Sequence, residues 1–243
     1  MRSTLSTIIF AIAIITGAYL LGTSYVERSR PEGTISVTGL GETNFSSDLI
    51  VWEGSFVAEN YDLQKAFEQL QQSKVLIENY LAQKGVSKNE IVFKAVSTQQ
   101  KTKALYGSNG NYQGDEFDGY RLTQSVQIES GEIDKVEALS REITELLNQG
   151  VPFYSKAPRY YYTQLADLKI ELISKASEDA RIRAEQIAGN SGTDLGELQD
   201  ARMGVFQITG QNADEEYSWG GTFNTSSRNK TASITVKANY KVN

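Results

Sequence analysis

The chain has 243 residues, 24 Lys and Arg against 30 Asp and Glu, and a formal net charge of −6. It contains no cysteine and no histidine, which excludes disulfides, thiol chemistry and a Ser-His-Asp triad, and removes the commonest general base and transition-metal ligand. The acidic balance argues against a nucleic-acid partner, which would want a basic face.

From Leu5 to Gly22 the chain reads LSTIIFAIAIITGAYLLG, without a charge. About 18 residues rising 1.5 Å each make a helix of roughly 27 Å, close to the thickness of a bilayer's hydrocarbon core. The exit, Gly17 to Thr23, has no clean small-x-small cleavage site, so the segment reads as an uncleaved signal anchor that enters the lipid bilayer; a cleaved signal peptide is the alternative. Arg2 and a tail of residues 1–4 place the N-terminus in the cytoplasm. Residues 23–33 read as a linker. Residues 34–243 then form an exported domain. All 30 acidic residues and 23 of the 24 basic ones follow Val26, so the part beyond the segment carries about −7.

Alternation predicts a half-buried strand from Thr34 to Leu40 and a second from Leu49 to Glu59, with Ile50, Trp52, Phe56 and Ala58 on one side. Asp62 caps a helix to about Lys84, with Leu63, Phe67, Leu70, Ile77 and Leu81 at helical spacing and Gly85 as its stop. A strand is expected near Glu90 to Lys101. Residues 106–119 have turn composition throughout, and Tyr120 to Glu129 alternates cleanly. The next helix, Glu132 to Gln149, carries Ile133, Val136, Leu139, Ile143 and Leu146. Pro152 and Pro158 then interrupt a strand whose best part is Arg159 to Tyr162.

The longest helix runs from about Gln164 to Gly189. Ala176, Ala180, Ala184 and Ala188 recur every four residues, a narrow face on which a helix comes close to a sheet or another helix. Strands near Glu197 to Thr209 and Lys230 to Val242 close the chain, around a polar, Gly-rich stretch at 210–229. The order, β then βαββαβ then αββ, gives an α+β fold: a transmembrane helix, then mostly antiparallel sheets with helices on one face. The inner six elements match a ferredoxin-like core, and the first strand, last helix and last two strands form a second lobe.

These segments, in this order, resemble the SIMPL-domain family. ISVTGLGE (35–42) resembles its opening strand, GVSKNEI (85–91) the turn after its first long helix, and GYRLTQSVQI (119–128) its central strand. LADLKIELISKASEDARIRAEQIA (165–188) resembles its Ala-rich helix, DLGEL (194–198) the following entry, and TASITVKANY (231–240) its closing strand. Where members often have Pro-Asp after the first strand, Ser47-Asp48 stands here. The resemblance implies a bacterial exported protein of the periplasm or cell envelope, a link to stress tolerance and, from some members, ring-like homo-oligomers. It supplies no catalytic residue.

Gly39-Leu40-Gly41 follows a strand, but a dinucleotide fingerprint needs a third glycine where Asn44 stands, so the pair reads as tight-turn glycines. Asp115, Glu116 and Asp118, with Asn109 and Asn111, offer oxygens to Ca²⁺ without EF-hand spacing and read as a solvated hairpin tip; Asp214, Glu215 and Glu216 read the same way. Tyr160, Tyr161 and Tyr162 alternate on a strand and cannot share a face. Trp219 and Phe223 are large aromatics in a polar loop, and are candidates for a subunit interface as much as for folding back on their own domain.

No G-x-S-x-G, P-loop or H-E-x-x-H is present, so no catalytic, cofactor-binding or metal residue is assigned and the protein is not expected to be an enzyme. The expected function is an inner-membrane, single-pass envelope protein that assembles with copies of itself as a ring or cage-like scaffold. The alternative is a periplasmic binding module that captures a ligand or partner through its loops. A hydrolase built on two carboxylates stands third.

Overall fold

The computed structural model describes residues 2–29, 33–216 and 218–242, with side chains over the same stretches except 2–10 and 26–29. Among the described residues, four α-helices and ten strands make an α+β fold: α1 Arg2–Ser29, β1 Thr34–Ser46, β2 Leu49–Asn60, α2 Leu63–Gln83, β3 Ile91–Phe93, β4 Ser97–Tyr106, β5 Tyr112–Ser130, α3 Ile133–Glu142, β6 Phe153–Ser155, β7 Arg159–Tyr161, α4 Leu165–Asn190, β8 Leu195–Met203, β9 Gln207–Gly210 and β10 Asn229–Val242. The linker expected over 23–33 is helical as far as Ser29. Among the described residues no helix is long and apolar enough to cross a membrane. The tail 1–4 and residues 5–10 of the expected anchor lie outside the described side chains, and residues 30–32 outside the described residues.

Chain contacts divide the molecule into two compact units, one of Met1–Gly41, Ser174–Gly204 and Thr235–Asn243, the other of Glu42–Ile173 and Val205–Ile234. In the first, the alanine face of α4 is buried at Ala176, Ala180, Ala184 and Ala188, and Ala180 and Ala184 pack with Val37 of β1 and Ala238 of β10. Gly39 sits within β1, in a strand that continues to Ser46, and the tight turn expected there is absent. A Cβ on Gly39 would lie 2.1 Å from the Ala176 carbonyl oxygen and 2.4 Å from the Ala180 nitrogen. The glycine lets strand backbone touch helix backbone. Beside it the Leu40 amide donates to Asp179 Oδ2 at 2.8 Å, and Arg183 holds the same carboxylate at 2.9 Å. The two contacts, the amide first, keep the Asp179 carboxyl below its usual range.

The second unit is built on a sheet in which β5 and β2 are central and antiparallel. β3 and β4 pair the outer side of β5, and β6 and β7 the outer side of β2. Ile50, Trp52 and Phe56 of β2 and Leu122, Val126 and Ile128 of β5 form one core with Leu70, Ile77 and Leu81 of α2 and Val136 and Leu139 of α3. The Trp52 indole donates to Ser155 Oγ at 3.0 Å, so its buried nitrogen is satisfied. On the other side of β2, Lys156 and Lys94 bond Glu53 at 2.9 and 3.0 Å and hold its carboxyl at about 2, from an ordinary 4.5.

Four expected elements differ. The helix expected over 132–149 is α-helical to Glu142 and 3₁₀ from Ile143 to Gln149, ending at Gly150 in the left-handed region. The strand expected at 90–101 is two strands, and that expected at 197–209 is also two. The turn expected over 106–119 is a turn only between Tyr106 and Tyr112, since β5 begins there and pairs β4 antiparallel, with register shifts at Gln100/Thr102 and Leu105/Tyr106. Turn composition was misleading because a two-stranded arm buries neither face, so its strands show no apolar alternation.

Substituting at the closest backbone approach tests the first unit. Gly39→Ala and Ala180→Leu should each destabilise the protein by about 1–3 kcal/mol through overpacking, read as a lowered thermal midpoint. An unchanged midpoint in both would contradict the contact.

Candidate functional site

β9 ends at Gly210, and the polar stretch that follows returns to it. The Ile208 amide donates to Thr222 O at 2.7 Å, the Asn224 amide to Ile208 O at 2.9 Å, and Phe223 forms a bridge with Ile208. Two buried amide side chains hold the intervening loop. Gln207 donates from Nε2 to Ser218 O at 2.8 Å, and its Oε1 accepts from the Thr222 amide at 2.8 Å and the Ser218 amide at 3.4 Å. Asn224 donates from Nδ2 to Glu215 Oε1 and to Ser226 Oγ, and accepts the Ser227 amide at 2.8 Å. The second oxygen of Glu215 accepts the Gly210 amide at 3.0 Å.

The centre of the loop is a tight turn closed by a 3.0 Å bond from the Gly221 amide to Ser218 O. Gly221 has φ +91° and lies against Phe206 O, where a Cβ would come within 3.0 Å. Trp219 stands at the apex, 99 % exposed, and Phe223 is half exposed. The loop is therefore ordered by buried polar clamps while its largest apolar side chain is held in water. Clamps of this kind cost ordering entropy, and Trp219 returns nothing to its own core.

Other aromatic side chains gather elsewhere in the same unit. Leu63 and Phe67, expected in the α2 core stripe, are both exposed; the buried stripe is Ala66, Leu70, Ile77, Tyr80 and Leu81. With Tyr61, Val96, Tyr120 and Leu122 they line an open groove of about 790 Å³. Phe117 stacks edge-on to both Tyr61 and Tyr120, with centroids 6.2 and 5.2 Å apart. Above it extends the β4–β5 arm. Residues 112–119 of β5 pair only with β4 among the described residues, and Leu105, Tyr106 and Tyr112 are exposed near the tip.

The remaining candidates fall apart in space or into structural roles. Asp115, Glu116 and Asp118 lie along the arm, where Asp118 accepts from Tyr61 Oη at 2.9 Å and lies 3.6 Å from Lys101. Among the described residues no three acidic side chains converge as a metal site. Glu215 belongs to the loop clamp, apart from the role expected of the run 214–216. Tyr160 packs against the core, and burial with a bond to Glu137 pushes its hydroxyl up to about 12. Tyr162 pairs with Phe45, with centroids 4.8 Å apart.

One charged residue was not singled out by its pattern. Lys230 is 1 % exposed, donating to Tyr160 O at 2.6 Å and to Ser47 Oγ at 3.0 Å. Burial alone lowers its ammonium to about 8. The signal was present: Lys230 falls on the same parity as Ala232, Ile234 and Val236, the inward face of β10.

In sequence, the family model described as "SIMPL: Protein of unknown function (DUF541)" matches residues 35–242. A search of curated proteins gives no match.

The loop clamp makes a direct prediction. Trp52 is buried and Trp219 exposed, so iodide should quench only the Trp219 emission of the separated, non-assembled chain. Gln207→Leu removes three loop bonds and should lower the steady-state anisotropy of Trp219, measured in a Trp52→Phe background. Unchanged anisotropy would mean that Gln207 does not hold the turn.

Proposed function

We propose a self-assembling, membrane-tethered role in the bacterial cell envelope for this chain, which belongs to the SIMPL family. The observation that carries the reading is Trp219, held fully in solvent by a loop whose buried amides fix its place. An ordered aromatic with no internal partner is the side-chain type that dominates interface energetics. The β4–β5 arm supports the same reading, because a two-stranded ribbon is marginal in water without a surface to lie on. The partner is a second copy of the chain. A contact between different patches of neighbouring copies closes into a ring when the rotation allows it.

We read the order β6/β7–β2–β5–β3/β4, with α2 and α3 as crossovers, as a ferredoxin-like core. We read residues 5–22 as a signal anchor in the inner membrane, with the rest of the chain outside the cytoplasm. The uncharged run from Leu5 to Gly22 supports this. Parallel anchors in one membrane require a symmetry axis along its normal, which a cyclic ring supplies.

The groove beside α2 favours a second reading, a binding module. Tyr61, Phe67 and Tyr120 make its wall aromatic and open, a surface suited to an apolar ligand or peptide.

Light scattering on the detergent-solubilised full-length protein should give an oligomer at micromolar concentration. Trp219→Ala should weaken each contact by about 2 kcal/mol and shift the mass towards the monomer. A wild-type monomer would overturn self-assembly and promote the groove reading.

For the anchor, Ile12→Arg should cost roughly 2.5–3.5 kcal/mol of insertion and release the protein from the membrane fraction. N-terminal sequencing of the wild-type membrane fraction should begin upstream of residue 5. A mature chain beginning near residue 23 would end the anchor reading.

A further inference from the structure

The absence of histidine rules out a Ser-His-Asp triad, but a serine nucleophile has another base open to it. A lysine in its free-amine form accepts a hydroxyl proton as an imidazole does. We propose that Ser47 and Lys230 form such a nucleophile–base pair, acting on a carboxylic ester or amide bound in the cleft that Ser47 lines.

Lys230 Nζ lies 3.0 Å from Ser47 Oγ, within the reach a general base needs. Its second bond, 2.6 Å to the Tyr160 carbonyl, fixes the amine beside the hydroxyl. Ser47 is itself held by its amide, which donates to Arg228 O at 2.9 Å. Both side chains are buried, and Ser47 reaches a cleft of about 370 Å³.

The charged groups around that cleft are Asp48, Glu132, Asp134, Lys135 and Arg228. Asp48 is engaged by the Thr163 amide and hydroxyl at 2.8 and 2.6 Å. Asp134 is engaged by Arg228, and Lys135 lies 3.6 Å from Glu132. Each carboxylate therefore has its own partner, and burial alone acts on Lys230, bringing its ammonium down to about 8. About a tenth of the lysine is then the free amine at pH 7.

The other wall of the cleft is the opening of α3. Its cap position, Glu132, makes no side-chain cap bond. The Ile133 amide there already donates to Gly131 O at 2.9 Å, so the donors the proposal offers an anion are the first-turn amides of Asp134 and Lys135, aided by the helix dipole. In the proposed reaction they would stabilise the negative charge that grows on the carbonyl oxygen.

In the proposed step, Lys230 Nζ takes the hydroxyl proton as Ser47 Oγ bonds to the acyl carbon. The carbonyl π pair moves onto oxygen. As that pair returns, the bond to the leaving alcohol or amine breaks, and the leaving group takes the proton from Nζ. Water then attacks the acyl-serine, passes a proton to Nζ, and releases the acid, with Ser47 recovering the proton.

The experiment uses the full-length protein and an alkyl fluorophosphonate. Ser47 Oγ would bond to phosphorus, fluoride would leave, and the hydroxyl proton would pass to Lys230. Intact mass should show one phosphonyl adduct per chain, mapped to Ser47. The rate should rise about tenfold between pH 7 and pH 9, following the free amine. Ser47→Ala should abolish the adduct. Lys230→Met, which keeps length without a base, and Lys230→Arg, which keeps a cation that never gives up its proton, should each slow labelling at least 100-fold. Thermal melts report folding, and if Lys230→Met does not fold, Lys230→Arg and the wild-type pH profile decide. Folded wild-type protein that stays unlabelled overnight at pH 9, or is labelled only elsewhere, would overturn the pair. So would a folded lysine variant that labels at the wild-type rate. Either result would leave Lys230 as a buried cross-brace between the β1–β2 turn and Tyr160.

Discussion

Where two backbones must touch, one of them can carry no side chain. At Gly39 the strand β1 lies so close to α4 that a Cβ would fall 2.1 Å from a helix carbonyl. That approach explains why the helix presents Ala176 and Ala180, and no larger residue, towards the strand. It also brings the Leu40 amide to Asp179. A packing choice thus sets a polar contact: the four-residue alanine repeat and one glycine bring the helix near enough for its carboxylate to reach the strand.

What the sequence makes legible follows from where one face of an element is buried. β2 and β5 alternate in their central stretches, α3 keeps its i, i+3 stripe, and Asp62 caps α2 through the Gln64 and Lys65 amides. Local pattern fails where burial is absent or differently arranged. The β4–β5 arm buries neither face and reads as a turn. Leu63 and Phe67 satisfy helical spacing, yet lie outward and line a groove. The register of α2 about its axis is set by Ala66 and Tyr80, which a stripe of large aliphatics overlooks. Glycines are ambiguous for a related reason, because φ freedom and close approach call for the same residue. Gly39 serves the second need and Gly221 serves both.

The candidate sites show the same division. Trp219 stood out because a large aromatic in a polar Gly-rich stretch has no local reason to be there. What held it did not stand out. Gln207 and Asn224 are ordinary residues until their amides converge on the loop's backbone groups across 11 and 3 positions of sequence. Such convergence is a property of the fold. It also gives the exposed Trp its meaning: a mobile loop leaves an aromatic in water by accident, whereas a loop fixed by buried hydrogen bonds leaves it there by construction. Pre-ordering lowers the entropy that an interface must otherwise supply on association.

Lys230 presents the sharper energetic question. A buried ammonium without a carboxylate is costly, and a well-packed apolar side chain in its place would avoid the cost. Two neutral acceptors, Ser47 Oγ and Tyr160 O, offset part of it. A purely structural bridge between those groups gains from a permanent charge, and an ion pair would strengthen it. The carboxylates nearest the cleft are instead committed to Thr163, Arg228 and Lys135. Keeping counter-charge away weakens Lys230 as a bridge and makes deprotonation easier. The arrangement is therefore economical for a base and wasteful for a brace. With histidine absent from the whole chain, a desolvated lysine is one of the side chains left whose proton affinity burial can bring near neutral pH.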